Sequence, residues 1–343
     1  MADAIAASAL MTRASAAPDE APRTAPGRSR TSVLVRRVVV SFIIAPPFLL
    51  GVYAGGVWFL LGTALVTFLA LREFYALSAR PGARLVQPLG FLLAFGVLLA
   101  NGGRDLVIGG LGGPRAIPGA ELLARWLEPD RFAYLARFSV AAAVILPLVA
   151  LLFERRDLRG RLVGWALTLA GTLYVAWLIS HFQTLRLVGE PGTEAGRGWV
   201  LYTLAATWCF DSGAYVVGSR IGRHKFMTWI SPKKTWEGAA GGLALCLLAT
   251  VVARTPLPLV GGALSQWLGW APLPIPWWHV PLLAVAVAGA AQLGDLAESM
   301  IKREAGAKDA SELIPGHGGM LDRVDSLLFT VVLIYYYAVL FAL

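Results

Sequence analysis

Apolar residues come in long uninterrupted blocks along this chain, separated by short polar punctuation. Several blocks reach or approach the roughly 20 residues needed to cross a bilayer as a helix. They predict about nine transmembrane helices, over 38–54, 56–72, 86–101, 138–153, 162–182, 198–219, 237–254, 278–301 and 325–343. Pro46 and Pro47 fall inside the first, where a membrane helix tolerates proline better than a soluble one. Gly55-Gly56 turns the first pair tightly. A transmembrane β-barrel would alternate with period two, and these runs do not. The expected fold class is therefore all-α, a polytopic integral membrane protein.

The polar positions give the chain its organisation. Residues 1–35 are rich in Ala, Pro, Ser, Thr and Arg, without apolar period, and read as a disordered, basic cytoplasmic tail. A signal peptide over Met1–Ala17 would need a basic start and an apolar stretch that are missing. Residues 36–197 read as an N-terminal transmembrane region. Within it, 102–137 is a longer outer loop with an interfacial helix around Leu122–Phe138. Residues 198–343 read as a C-terminal transmembrane catalytic region. The short loops holding Arg80 and Arg84, then Arg155, Arg156, Arg159 and Arg161, then Arg220 to Lys234, then Lys302 to Arg323, are all rich in cations. With the N-terminus inside, every one of them is cytoplasmic, as the positive-inside rule asks. The expected location is the inner, cytoplasmic membrane, multi-pass, with N-terminus and site on the cytoplasmic side.

Composition sharpens this in two ways. Only 15% of the 343 residues are charged and 57% are hydrophobic, which excludes an ordinary soluble domain. Cys209 and Cys246 both lie in apolar segments, so no disulfide framework is implied. The net charge of +9 is carried almost entirely by arginine. The five lysines, Lys225, Lys233, Lys234, Lys302 and Lys308, fall in two polar stretches. A compact ammonium in such places suits a phosphate.

The first of these stretches, Gly294 to Ser326, is the most polar run near the end of the chain. Asp295, Glu298, Ser299 and Lys302 are spaced i, i+3, i+4, i+7, one face of a helix. Asp322 and Asp325 share a face at the start of the last span. Two helices thus aim carboxylates at a common space, and Mg²⁺ takes one or two carboxylates together with substrate phosphates. Between them, Gly316-His317-Gly318-Gly319 lets backbone N–H groups approach an anion. The second stretch runs from Asp211 to Gly242. Asp211 lies in an apolar span and should face a polar cavity. Ser231-Pro-Lys233-Lys234-Thr235 precedes an apolar run and suits a helix start that attracts phosphate. It is not a Walker A loop. The Gly218-x-x-x-Gly222 spacing serves helix packing. His181 and His279 lack partner spacing for a metal, Trp270, Trp277 and Trp278 fit an interfacial belt, and Glu73 reads as a helix-end acid rather than a ligand.

Ser299-Met-Ile-Lys302-Arg303, then Lys308-Asp309, then Pro315-Gly-His317-Gly318-Gly319-Met-Leu-Asp322-Arg323-Val-Asp325, resembles the signature of phosphatidate cytidylyltransferases, also called CDP-diacylglycerol synthases. Asp211-Ser-Gly-Ala-Tyr215 and Ser231-Pro-Lys-Lys-Thr-Trp-Glu-Gly238 are similar to that family too. The resemblance implies transfer of the cytidylyl group of CTP to phosphatidate in the bilayer, with Mg²⁺ and room for a second cation. It implies Asp295 and Asp322 as metal ligands with Asp325 close by, and Ser299, Lys302 and Arg303 as site residues. Lys302, Arg303, Lys308 and the Lys233–Lys234 pair would then hold phosphates. No nucleic acid is expected as a partner, and a homo-oligomer is compatible with the chain. Two rivals stand beside this reading. One is a membrane phosphoglycosyl transferase moving a sugar phosphate from a UDP-sugar to polyprenyl phosphate. The other is an ion-coupled transporter, which should show inverted repeats, whereas the polar residues here concentrate in the C-terminal half.

Overall fold

A computed structural model describes residues 46–79, 85–106, 129–154, 158–189, 195–255, 272–313 and 318–341. Among them the regular structure is helical, apart from one antiparallel bridge between Lys225 and Thr235. After a helical stretch over 46–54 come α1 (Gly56–Ser78), α2 (Gln87–Leu106) and α3 (Pro129–Leu152). Next is α4 (Arg161–Arg186), interrupted by a π-helical turn over Thr172–Trp177. Then follow α5 (Ala195–Ile221), α6 (Trp236–Arg254), α7 (His279–Glu304) and α8 (Leu321–Phe341).

Six of these, α1, α3 from Arg131, α4, α6, α7 and α8, are long and apolar enough to cross a membrane. That establishes an all-α, multi-pass architecture, with fewer qualifying spans than the nine expected. The differences have causes in the residues. The apolar part of α2, Gln87–Gly103, is shorter than a span. α5 has 27 residues but carries Arg197, Asp211 and Arg220 among its glycines and threonines. Residues 38–45 of the expected first span lie outside the described residues, and the rest, 46–54, is helical but too short to qualify. The helix of the fourth span, α3, starts nine residues before the expected edge at 138, because Arg131 and Arg137 do not stop a helix whose other residues favour it. Residues 102–106 and 129–137, expected in an outer loop, are therefore helical; the interfacial helix expected from Leu122 lies partly outside the described residues and otherwise in the first turns of α3. The tail over 1–35 and Trp270 also lie outside them.

Glycine sets how closely the helices approach. A methyl group on Gly213 of α5 would lie 2.6 Å from the Gly241 carbonyl oxygen of α6, and one on Gly242 2.7 Å from Phe210. Backbones this close are typical of packing between membrane helices through small residues. At the other end of α1, Gly55 and Gly56 adopt φ of 64° and 50°, and the Asp105 carboxylate accepts the Gly56 N–H at 2.6 Å. The glycine turn expected there is present, and α2 caps it. Phe59, Leu71, Tyr75, Trp199, Tyr202, Leu328 and Ile334 fill the core. Large apolar side chains such as Trp58, Leu92, Phe138, Leu282 and Leu340 face outward, which suits a lipid surround.

Candidate functional site

α7 and α8 come together at Gly294, where an added methyl would lie 2.5 Å from the carbonyl oxygen of Asp325. Only glycine permits that approach, and it brings the next residue, Asp295, to the start of α8. The predicted convergence of the two helices is present, but the acid at the crossing is Asp325. Because Gly294 packs against the Asp325 backbone and Ser326 lies beside the Asp211 carboxylate, acids from α5, α7 and α8 share one region. Ser326 lies 3.5 Å from the Asp211 carboxylate. Asp325 accepts the Ser326 N–H at 2.6 Å. Ser299, one turn beyond Asp295, donates to its carboxylate at 3.2 Å.

One cation reaches this group from a loop built to deliver it. Between α5 and α6, the Phe226 N–H donates to the Lys234 carbonyl at 3.2 Å and the Trp236 N–H to the His224 carbonyl at 2.9 Å. The Glu237 carboxylate accepts the Arg223 and His224 N–H groups at 3.1 and 3.2 Å and lies 2.6 Å from the His224 ring. The Thr235 hydroxyl accepts the Gly238 N–H at 3.1 Å and so caps α6. Lys234 is thereby aimed at α7, with its ammonium 3.0 Å from Asp295 and 3.3 Å from the Gln292 carbonyl. Lys233 is exposed and Ser231 half-buried, with the Ser231 carbonyl accepting the Lys234 N–H at 3.3 Å. The lysine pair read as one feature is therefore two: Lys234 belongs to the acid group and Lys233 does not touch it.

A second arrangement lies nearer the end of α7. The Lys302 ammonium is buried against Glu298 and lies 2.5 Å from Asp322. The other Asp322 oxygen accepts the Gly319 N–H at 2.7 Å and the Ala310 N–H at 2.9 Å. Both oxygens thus have protein partners, and Lys302 is held by two carboxylates rather than standing open for phosphate. The glycine turn differs from expectation for the same reason. Gly318 has φ of 77°, and the Gly319 N–H is given to Asp322 rather than offered to an anion. His317 lies outside the described residues. Arg303 is exposed and donates to the Ile230 and Ala307 carbonyls at 3.4 and 3.0 Å, tying α7 to the α5–α6 loop. Lys308 is exposed.

Three residues here were given no site role from the sequence, although Glu298 was placed on the α7 face. Glu298 shares the α7 face with Asp295, and its side chain is fully buried. Tyr174 sits in the π-helical turn with its hydroxyl buried and without a hydrogen-bond partner among the described residues, in the field of Asp325 and Glu298. π turns often occur at functional positions. Glu73, read as a helix-end acid of α1, accepts hydrogen bonds from the start of α8 instead. His181 contacts the Trp177 carbonyl at 2.9 Å and His279 the Tyr337 hydroxyl at 2.7 Å.

The donor set suits a hard cation. Asp211, Asp295 and Asp325 bring three carboxylates together, and among the described residues Lys234 is the lysine in contact with them, paired with Asp295. Among the described residues no three acidic, histidine or cysteine side chains close a cage around one ion. Mg²⁺ does not require such a cage, since it keeps waters and takes substrate phosphates beside one or two carboxylates.

Residues 122–341 match the cytidylyltransferase family model. The chain is 34% identical over 230 residues to the phosphatidate cytidylyltransferase of Bacillus subtilis, covering 65% of this chain and 78% of that protein. It is 32% identical over 299 residues to the phosphatidate cytidylyltransferase of a Synechocystis species, covering 83% and 90%. A Brucella suis protein of the same name is 36% identical over 180 residues, covering 52% and 58%.

Proposed function

The chain belongs to the cytidylyltransferase family, and from that premise we propose that it transfers the cytidylyl group of CTP to phosphatidate, giving CDP-diacylglycerol and pyrophosphate. The relatives do not favour the sugar-phosphate and transporter readings. The observation that carries the site's part in this is the meeting of Asp211, Asp295 and Asp325 beside Lys234, within helices of an apolar bundle. Acids at such depth are expensive and are kept for function.

The chemistry needs no nucleophile from the protein. A phosphatidate phosphate oxygen forms the new bond to the α-phosphorus of CTP, and the bond from that phosphorus to the pyrophosphate oxygen breaks. The enzyme's task is to hold two polyanions in line and offset their charge. Mg²⁺, and a second cation if one joins it, would neutralise charge on the attacking and leaving oxygens. Asp295 is the carboxylate best placed to hold such an ion, with Asp211 and Asp325 as the acids beside it. Asp322, the second ligand that the resemblance implies, reaches an ion only by sharing it with the Lys302 contact. Lys234 keeps Asp295 oriented and stands ready for a phosphate, with Arg303 and Lys308 further out. Ser299 orients Asp295.

The polar ends of α7 and α8 and the α5–α6 loop sit together, which supports a site at the inner leaflet with the lipid tails left in the bilayer. We read α2, α5 and the run ending at residue 54 as crossings additional to the six qualifying helices. That arrangement makes about nine spans and leaves the N-terminus and all the cation-rich loops on the cytoplasmic side. The deciding experiment uses protein purified in detergent or nanodiscs. CTP, phosphatidate and Mg²⁺ together should release pyrophosphate and form CDP-diacylglycerol. Turnover of a UDP-sugar with polyprenyl phosphate, and none with CTP, would replace this reading by its rival.

A further inference from the structure

Glu73 is only 4% exposed, toward the C-terminal end of α1, and its own helix dipole offers an acid nothing there. What holds it is the start of another helix. Its carboxylate accepts the Leu321 N–H at 2.7 Å, the Met320 N–H at 3.0 Å and the Ser311 hydroxyl at 2.6 Å. The first N–H groups of a helix have no partner within it and favour a negative charge. Glu73 supplies both needs for α8, from a helix that lies outside the residues 122–341 matched by the family.

The next amide along is taken by the next acid. The Gly319 N–H goes to Asp322, so three successive N–H groups, of Gly319, Met320 and Leu321, are all assigned to carboxylates. A methyl on Gly319 would lie 2.3 Å from a Glu73 oxygen, so glycine stands here to admit Glu73. Ser311 extends the hold to the other end of the loop, since its hydroxyl also accepts the Leu313 N–H at 3.1 Å. Glu73 therefore fastens both 311–313 and 320–321 to α1. Asp322 stands one residue beyond and grips Lys302.

We propose that Glu73 is a positioning residue for cytidylyl transfer: it fixes the backbone ahead of α8 and thereby sets where Asp322 holds Lys302. This rests on the function proposed above. Glu73→Gln keeps the size and one acceptor oxygen but turns an NH₂ toward N–H and O–H donors. kcat should fall by about tenfold or more, the scale of supporting residues around a charged site, with KM for CTP within about twofold. Backbone amides at 318–322 should exchange hydrogen faster, a readout independent of turnover. Asp322→Asn combined with Glu73→Gln should lose no more than Asp322→Asn alone, because both act through one contact. Losses that multiply, or a lowered melting temperature with unchanged kcat per folded molecule and unchanged exchange at 318–322, overturn the proposal. If Glu73→Gln does not fold, Ser311→Ala removes one donor only and is judged by the same exchange and kcat measurements. Wild-type protein that exchanges slowly at 318–322 yet releases no pyrophosphate from CTP would sink the proposed function and leave the anchoring role to be decided by exchange.

Discussion

Polar groups at the two ends of the bundle are arranged on different principles. Toward the end that carries Gly55 and Asp105, hydroxyl, amide and imidazole groups pair across helices, Gln183 with Thr63 at 2.5 Å, Tyr202 with Thr250 at 2.9 Å and His279 with Tyr337 at 2.7 Å, beside the Asp105 carboxylate and the buried Arg197. Each contact ties two helices together. Toward the opposite end the groups are ionic and acids predominate. Glu298 and Asp322 share Lys302, and Asp295 takes Lys234 while Asp211 and Asp325 stand near it. Neutral pairs are sufficient to knit membrane helices at about 0.6 kcal/mol each. An excess of carboxylates goes beyond that need and implies a cationic or phosphate-bearing guest.

Substitutions at the two ends should separate the roles, beginning with the greatest loss. Asp295→Asn should lower pyrophosphate release by on the order of 10³-fold, with a raised Mg²⁺ requirement and an intact fold by circular dichroism; near-normal turnover would remove Asp295 from the ion site. Stripping divalent ions with EDTA should abolish turnover of the wild type and Mg²⁺ should restore it; full activity in EDTA would refute the cation's part. Asp322→Asn should cost less, about 10–100-fold, because Asp322 acts through Lys302 and the loop amides. A loss equal to that of Asp295→Asn would make it a ligand of equal rank. Lys234→Ala should slow turnover about tenfold, equivalent to about 1.4 kcal/mol in the barrier, while Lys233→Ala changes it less than twofold. Equal effects would mean the pair acts as bulk charge. Gln183→Leu, at the end that carries Gly55, should leave kcat unchanged and shift stability by about 0.6 kcal/mol in a thermal melt. A large activity loss there would erase the distinction between the ends.

The helical membrane architecture was legible because a bilayer demands long apolar runs whose backbone is satisfied internally. Span edges were less so: α3 begins at Pro129 because two arginines within a good helical run do not end it. The α7 face carrying Asp295, Ser299 and Lys302 was legible from spacing alone, since those residues lie within one helix. Which acid faced it was not. Gly294 places Asp325 at the crossing, and that contact depends on how two helices pack. The lysine pair shows the same limit: adjacent letters point to different places once Thr235 caps α6 and fixes Lys234 toward α7.

The order of residues by itself determined that this chain lives in a membrane, that its chemistry gathers in two stretches, and that acids, lysines and glycines supply it. Local periodicity and composition suffice for that, because each depends on neighbours within a few turns. Tertiary structure alone decided the partners: Glu73 with the start of α8, Lys302 between Glu298 and Asp322, and the glycine turn given to protein carboxylates. Glu73 and Leu321 stand 248 positions apart, so no periodicity could join them. Only the packing of α1 against the end of the chain brings an acid to the helix start that needs one.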